Sequence, residues 1–185
     1  MKILKGILVL VAAGQLAIPA TMILQRERTQ RDGHAYKFRT RPVDPADAFR
    51  GRYVQLAFEQ DHAPMVGGTI NRRAIGYALV EKDADGFAVV RAISQEPPKQ
   101  GDYLKVRVNY ADWGNNAGVA SFRMPFDRFY MEEKATPAAE RAYREHSRQG
   151  GARDAYVIVR VRDGQGVIEN LYVAGQPIVE FAQGD

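Results

Sequence analysis

The chain has 185 residues, of which 45% are hydrophobic and 26% are charged, and it contains no cysteine. This length and composition are typical of one globular domain with a sizeable core, and they exclude intrinsic disorder and collagen-like fibres. The lack of cysteine also excludes disulfide frameworks, thiolate metal sites and cysteine nucleophiles. Because His34, His62 and His146 lack the spacing of a ligand motif, we predict no metal site and no cofactor.

The net charge of +4 is unevenly distributed along the chain. Residues 1–41 contain eight basic and two acidic side chains, whereas residues 42–185 contain 18 basic and 20 acidic side chains. The larger part of the chain is therefore slightly acidic. Nucleic-acid-binding domains usually carry their basic excess on the folded module itself, so we predict no nucleic-acid partner.

The first organised segment is an uncharged run over residues 6–24, which follows Lys2 and Lys5 and precedes Arg26. As a helix, a run of this length approaches the ~30 Å thickness of the hydrocarbon core of a membrane. We therefore predict a single transmembrane helix, a signal-anchor, over residues 1–25.

The alternative is a signal peptide that is cleaved after Ala20. Pro19 beside that bond and the apolar residues 22–24 just after it disfavour cleavage. Cleavage would release the rest of the chain as a soluble, ligand-binding periplasmic β-barrel, and this hypothesis stays open.

Basic side chains flank the uncharged run on both sides, so charge alone does not fix its orientation. The short basic amino-terminal tail favours a cytoplasmic amino terminus. We expect a protein of the inner (cytoplasmic) membrane, with residues 26–35 as a basic juxtamembrane linker and residues 36–185 as one exported, periplasmic domain.

That domain is predicted to be mainly β, because short alternating runs are separated by Gly, Pro and Asp turns. The predicted strands cover residues 36–39, 52–59, 74–81, 87–93, 103–110, 119–124, 154–162, 167–173 and 178–181, with a loop over 60–73. The inward-facing positions of the two clearest strands are Val54, Leu56 and Phe58, and Leu104, Val106 and Val108. The expected architecture is an antiparallel barrel or sandwich.

One short helix is predicted after residue 135. Thr136 and Pro137 suit its first turn, and Gly150 with Gly151 would end it. Its buried face is predicted to contain Ala139, Ala142, Tyr143 and His146, which are spaced as on one side of a helix.

Several short motifs resemble those of one family. The Asp44-Pro45 turn precedes RGRYVQLAF at residues 50–58, and further matching segments lie at residues 128–133 and 171–178. Together they resemble the GDYxxLxY family of bacterial membrane-anchored proteins. The signature positions in this chain are Gly51, Arg52, Tyr53, Leu56 and Phe58. Arg52 stands where the family name has Asp, and Phe58 stands where it has the final Tyr.

The resemblance implies a membrane-anchored, exported domain that accompanies another membrane protein. It implies no catalytic residue. The most direct functional hypothesis is therefore a non-enzymatic interaction partner of a membrane protein.

A second segment echoes the signature fifty positions later, with Gly101, Asp102 and Tyr103 before an alternating strand. This echo is explained either by the ordinary way in which glycine turns lead into strands or by a duplicated half-barrel.

The loop after the 103–110 strand has the mixed polar and aromatic character of recognition surfaces. Its candidate recognition residues are Tyr110, Asp112, Trp113, Asn115 and Asn116. The alternative is that Trp113 closes one end of the barrel and acts structurally.

The enzymatic alternative is a hydrolase that uses loop carboxylates. Its candidate acids are Asp102, Asp112, Glu132 and Glu133. A serine hydrolase is disfavoured, because Ser94, Ser121 and Ser147 have no nucleophile-like sequence context.

Overall fold

A computed structural model describes residues 2–41, 53–68, 70–112, 118–147 and 154–183, without the side chains of residues 2–4, 7–9, 110–112 and 182–183. The helices are α1 (Lys2–Asp32), α2 (Thr136–Ser147) and α3 (Ile178–Gln183). The strands are β1 (His34–Arg41), β2 (Tyr53–Gln55), β3 (Ala57–Phe58), β4 (His62–Val66), β5 (Ile75–Lys82), β6 (Ala88–Ser94), β7 (Asp102–Asp112), β8 (Val119–Arg123), β9 (Arg128–Tyr130), β10 (Tyr156–Arg162), β11 (Gln165–Val173) and β12 (Gln176–Pro177).

The middle of the chain forms a small closed barrel with the strand order β4-β6-β5-β7-β8. β4 and β6 pair in parallel, and the other barrel strands pair antiparallel. Alternation in β7 directs Leu104, Val106 and Val108 inward, where they are buried, and leaves Lys105 and Arg107 exposed. The predicted phase of this strand is confirmed.

The two ends of the chain meet in a second sheet with the order β12-β11-β10-β1-β3. Val157, Val159 and Val161 of β10 are fully buried on one of its faces. β2 pairs separately with β9. The barrel and this sheet share one hydrophobic core, so the prediction of a mainly antiparallel β fold is confirmed.

Three phenylalanines from different elements form an aromatic cluster within this core. Phe126 packs edge-on against Phe38 and Phe58, with ring centroids 5.6 Å and 5.3 Å away. Edge-on pairs of this kind contribute more than their buried area alone, by about 0.5–1.5 kcal/mol. The cluster therefore joins the signature segment to β1 and to the turn before β9.

Three predicted elements differ from the structure. The predicted strand over 52–59 is divided at Leu56 into β2, which pairs with β9, and β3, which pairs with β1. The segment 60–73 was predicted as a loop because of its Pro and Gly residues, but it contains β4, in which Pro64 pairs opposite Val119. Residues 178–181 were predicted as a strand but belong to α3, where Ile178 is buried and Phe181 packs on His146. A four-residue segment is too short for its hydrophobic period to distinguish a strand from a helix, and packing against α2 favours the helix.

The carboxyl-terminal turns of α1 pack on the β body. Gln25 and Thr29 contact the Gln165 side chain, and Asp32 pairs with Arg162 at 3.0 Å. Residues 26–32, which the sequence predicted as part of a linker, thus continue the helix, and β1 begins one residue after Gly33. The predicted divisions at residues 25 and 35 are not marked by a change in secondary structure.

The preceding part of α1 leaves its apolar side chains uncovered. The large apolar residues exposed there are Leu10, Val11, Leu16, Ile18, Met22, Ile23 and Leu24. Within the described part of the chain, no helix satisfies the length and hydropathy criteria for a membrane span.

The signature segment, residues 53–58, offers a direct test of the fold. Leu56 is 3% exposed, whereas the neighbouring Gln55 is only half-buried and points to the opposite face. We expect Leu56→Ala to lower the free energy of unfolding by about 2–5 kcal/mol, and Gln55→Ala to change it by less than about 0.5 kcal/mol. Urea unfolding of both variants measures the difference. Equal effects would contradict the assigned phase.

Candidate functional site

The signature segment forms one wall of a cleft against the barrel. The cleft has a volume of about 350 Å³, and its opposite wall is β8 with the end of β7. The segment is fixed there because the Leu56 amide donates to the carbonyl oxygen of Asp127 at 2.8 Å. We refer to this space as the signature cleft. Its lining includes Gln55, Leu56, Phe58, Asp61, Asn109, Ser121 and Arg123.

The signature residues have different structural roles. Leu56 and Phe58 are buried, so their role is to pack the core. Tyr53 lies opposite Tyr130 in the β2–β9 pair, and Arg128 lies over its ring at 5.0 Å from the centroid. Gly51 and Arg52 lie outside the described residues, so the charge change at the signature turn has no structural account here.

Acidic groups in the signature cleft already have partners. Asp61 forms an ion pair with Arg41 at 3.1 Å and a second contact with the His62 imidazole. Asp127 faces the guanidinium of Arg128 at 3.7 Å. The carboxylates therefore add little uncompensated negative charge to the cleft.

Two arginine side chains next to the cleft, in contrast, have no acidic partner among the described residues. Arg107 of β7 and Arg123 of β8 are directly opposite each other on the outer face of the barrel, and both are exposed. Neither forms an ion pair with any residue that the structure describes. Arg72 extends the patch, since its Nε donates to the carbonyl oxygen of Asn109. We call these three residues the cationic face.

Like charges directly opposite each other on a sheet destabilise it. The sequence did not predict this pair, because Arg107 and Arg123 come from separate strands and only the register brings them together. Alternation alone indicated that each was exposed. The cationic face thus has an electrostatic cost that an anionic ligand would relieve.

The strand pairing also places a serine opposite a histidine. Ser121 of β8 pairs with His62 of β4, and the Nδ1 atom of His62 contacts Asp61. These are the residue types of a hydrolytic triad. Among the described residues, however, no hydrogen bond joins the Ser121 hydroxyl to the imidazole, so the serine is not activated in this conformation.

The echo segment has a structural role at the beginning of β7. Gly101 has a φ of 86°, which places it in the left-handed region that favours glycine. Asp102 accepts hydrogen bonds from the Tyr36 hydroxyl at 2.8 Å and from His34 Nδ1 at 2.7 Å. Tyr103 packs on Tyr77. β7 belongs to the barrel and β2 does not, so the two echo segments are not equivalent strands.

The predicted recognition loop is only partly within the described residues. Tyr110 and Asp112 end β7, opposite Ser121 and Val119 respectively. The candidates Trp113, Asn115 and Asn116 lie outside the described residues, so both hypotheses for Trp113 stay predictions.

The candidate carboxylates of a hydrolase are not brought together as a set. Asp102 and Asp112 lie at opposite ends of β7, roughly 33 Å apart along an extended strand. Glu132 and Glu133 lie in the turn before α2. Within the described ranges, no group of three or more His, Asp or Glu residues is arranged to hold a metal ion.

The fold and the signature cleft define a mainly β protein with a long amino-terminal helix. A family model described as GDYXXLXY protein matches residues 15–171. The chain therefore belongs to the GDYXXLXY protein family. No curated protein matches the chain, and no solved structure does.

Tyr36 predicts how stability changes at alkaline pH. Burial, together with the hydrogen bond to Asp102, raises the pKa of Tyr36 above its usual value near 10. The unfolded chain ionises first, so the stabilisation from neutral Tyr36 is complete below about pH 10 and is lost as the pH rises towards the folded pKa. We expect Tyr36→Phe to reduce stability at pH 8 by about 1–3 kcal/mol, through loss of the bond to a carboxylate.

The same variant should lose less stability than the wild type between pH 9 and pH 11, because one ionisation is removed. Urea midpoints over this range measure the effect. An identical alkaline slope in both proteins would contradict the assignment.

Proposed function

We propose that this protein is a membrane-anchored binding module of the inner membrane. In this proposal α1 inserts into the membrane, the β body lies outside the cytoplasm, and the body binds another membrane protein without catalysing a reaction. The observation that carries the binding role is the cationic face beside the signature cleft, where Arg107 and Arg123 have no ion-pair partner among the described residues.

The anchoring role is supported by the sequence and burial of α1. Residues 6–24 contain no charged side chain, and seven large apolar residues between Leu10 and Leu24 are exposed. Fully burying one such side chain is worth about 1.5–3 kcal/mol relative to leaving it in water. Within the described residues the chain offers these side chains no cover, and a bilayer would supply it.

The packing of α1 on β10 and β11 supports a partner in the same membrane. Because residues 25–32 are held by the Gln165 and Arg162 contacts, the body would lie directly at the membrane surface. A body on a long free linker would sample a larger volume. A fixed position close to the bilayer favours contact with the exposed parts of neighbouring membrane proteins.

The cationic face indicates the chemistry of the partner. Arg107 and Arg123 repel each other, and nearby Asp61 and Asp127 are already paired. An acidic segment of the partner would relieve that repulsion and would find amide groups of Gln55 and Asn109 in the cleft. We therefore propose an acidic segment of a membrane protein as the ligand.

The filled barrel favours this function over the ligand-binding barrel. Ile93, Leu104, Val108 and Phe122 are fully buried inside it and belong to one continuous core. A small ligand inside the barrel would have to displace those side chains. The alternative of a hydrolase that uses loop carboxylates has less support, because Asp102 and Asp112 lie at opposite ends of β7.

Site-specific photo-crosslinking in intact membranes tests the proposal. A photoreactive amino acid at Asn109, which is exposed and lines the cleft, should form an adduct with a membrane protein. Combining it with Arg107→Glu and Arg123→Glu should reduce the adduct about tenfold or more, because reversed charges then face the acidic segment.

The matched control is the pair Arg141→Glu and Arg144→Glu on the exposed face of α2. It makes the same charge change away from the cleft and should leave the adduct intact. Thermal melting of both variants confirms folding. Adduct yields that are equal in the two double variants would overturn the proposed binding surface.

A further inference from the structure

A second cavity lies where α1 meets the β body. Its volume is about 500 Å³, and it is lined by Arg26 of α1, by the segment from Pro125 to Tyr130, and by residues 166–169 of β11. We call it the juxtamembrane pocket. It is separate from the signature cleft in all but Phe126 and Asp127, which contribute to both.

Arg26 marks the position of the juxtamembrane pocket along α1. This residue follows Leu24, the last apolar residue of α1 before the charged turn, by two positions, which is about 3 Å along a helix. Helical side chains lean towards the amino-terminal end of their helix. If α1 is inserted as proposed above, the Arg26 guanidinium therefore lies at the level of the lipid headgroups.

The juxtamembrane pocket has positive charge that the described residues neutralise only in part. In the part of the chain that the structure describes, Arg26 has no ion-pair or hydrogen-bond partner. Arg128 is only loosely paired, with Asp127 at 3.7 Å, a side-chain hydrogen bond with Tyr130 and the Tyr53 ring below it. Glu169 is already engaged by Arg160, at 2.6 Å and 3.1 Å. Arg26 is thus open to an anion, and Arg128 offers a second guanidinium that an anion would share with Asp127 and Tyr130.

The remaining walls suit a group at a membrane interface. Tyr130 is 63% exposed at the pocket, and tyrosine is enriched at membrane interfaces, where its ring and hydroxyl meet different environments. Gly166 lies on the pocket wall, and a Cβ atom there would collide with the ring of Phe126. The close approach of β11 to Phe126, and with it the shape of the pocket, therefore requires glycine.

We propose that the juxtamembrane pocket binds the phosphate of an anionic phospholipid headgroup, with Arg26 and Arg128 as its two cationic contacts. Guanidinium groups match phosphate oxygens in geometry as well as in charge. The proposal rests on the proposed insertion of α1, because that insertion brings headgroups to this height. Phosphate chemistry is shared by lipids and by free phosphate, so the test separates the two.

The experiment uses the full chain in non-ionic detergent, with binding measured by titration calorimetry. Short-chain phosphatidylglycerol, short-chain phosphatidylcholine and inorganic phosphate are the three probes. We expect saturable binding of phosphatidylglycerol, and binding at least about tenfold weaker for the other two. Equal binding of inorganic phosphate would identify a phosphate site and would overturn the lipid assignment.

Variants assign the binding to this pocket. Arg26→Ala with Arg128→Ala should weaken phosphatidylglycerol binding about tenfold or more, since each basic residue near an anionic surface contributes about a factor of five. Arg26→Lys with Arg128→Lys should recover part of the affinity. Arg141→Ala with Arg144→Ala removes the same charge from α2 and should change nothing. Equal weakening in both alanine pairs, or none in either, would overturn the proposal.

Extraction of membranes with alkaline carbonate distinguishes the two proposals. Retention of the Arg26→Ala, Arg128→Ala variant in the membrane, together with lost lipid binding, supports the pocket independently of anchoring. Release of the wild type by carbonate would contradict the insertion of α1, whatever the calorimetry gives.

Discussion

The structure depends on the way in which one long helix is divided between two environments. Residues 25–32 of α1 are held by Gln165 and Arg162 of the sheet, whereas the apolar side chains from Leu10 to Leu24 contact little else in the described chain. Residues 25–32 thus belong to the folded body, whereas the apolar side chains before them are left exposed by the described residues. Both proposed sites lie on the body that this helix positions.

The junction at Gly33 fixes the direction of α1 relative to the sheet. Its amide donates to the Thr29 carbonyl, its carbonyl accepts from Arg160, and β1 starts at the next residue. A Cβ at Gly33 would collide with the carbonyl oxygen of Thr29. The helix is therefore followed by a residue without a side chain and then directly by a paired strand, so only Gly33 separates α1 from β1.

Features of the fold that depend on local alternation could be predicted from the sequence, and features that depend on register could not. The burial of Leu104 followed from the two-residue period of β7, and that of Leu56 from the same alternation, which continues across the break between β2 and β3. β4 was not predicted because a proline such as Pro64 usually indicates a loop. In the structure Pro64 lies within β4, opposite Val119 of β8. The Arg107 and Arg123 pair could not be predicted, because it depends on the register of β7 against β8. A shift of that register by one residue would separate the two side chains. The pocket at Arg26 likewise depends on how α1 packs, which no local pattern encodes.

The most direct test uses the absence of cysteine, since each introduced cysteine is then a single label site. Leu16→Cys lies within the uncharged run, and Arg141→Cys lies on the exposed face of α2. In spheroplasts treated with a membrane-impermeant maleimide, the account predicts labelling at position 141 and none at position 16 until detergent is added. Labelling at position 16 in intact membranes, or at position 141 only after lysis, would contradict an inserted α1 with the body outside the cytoplasm.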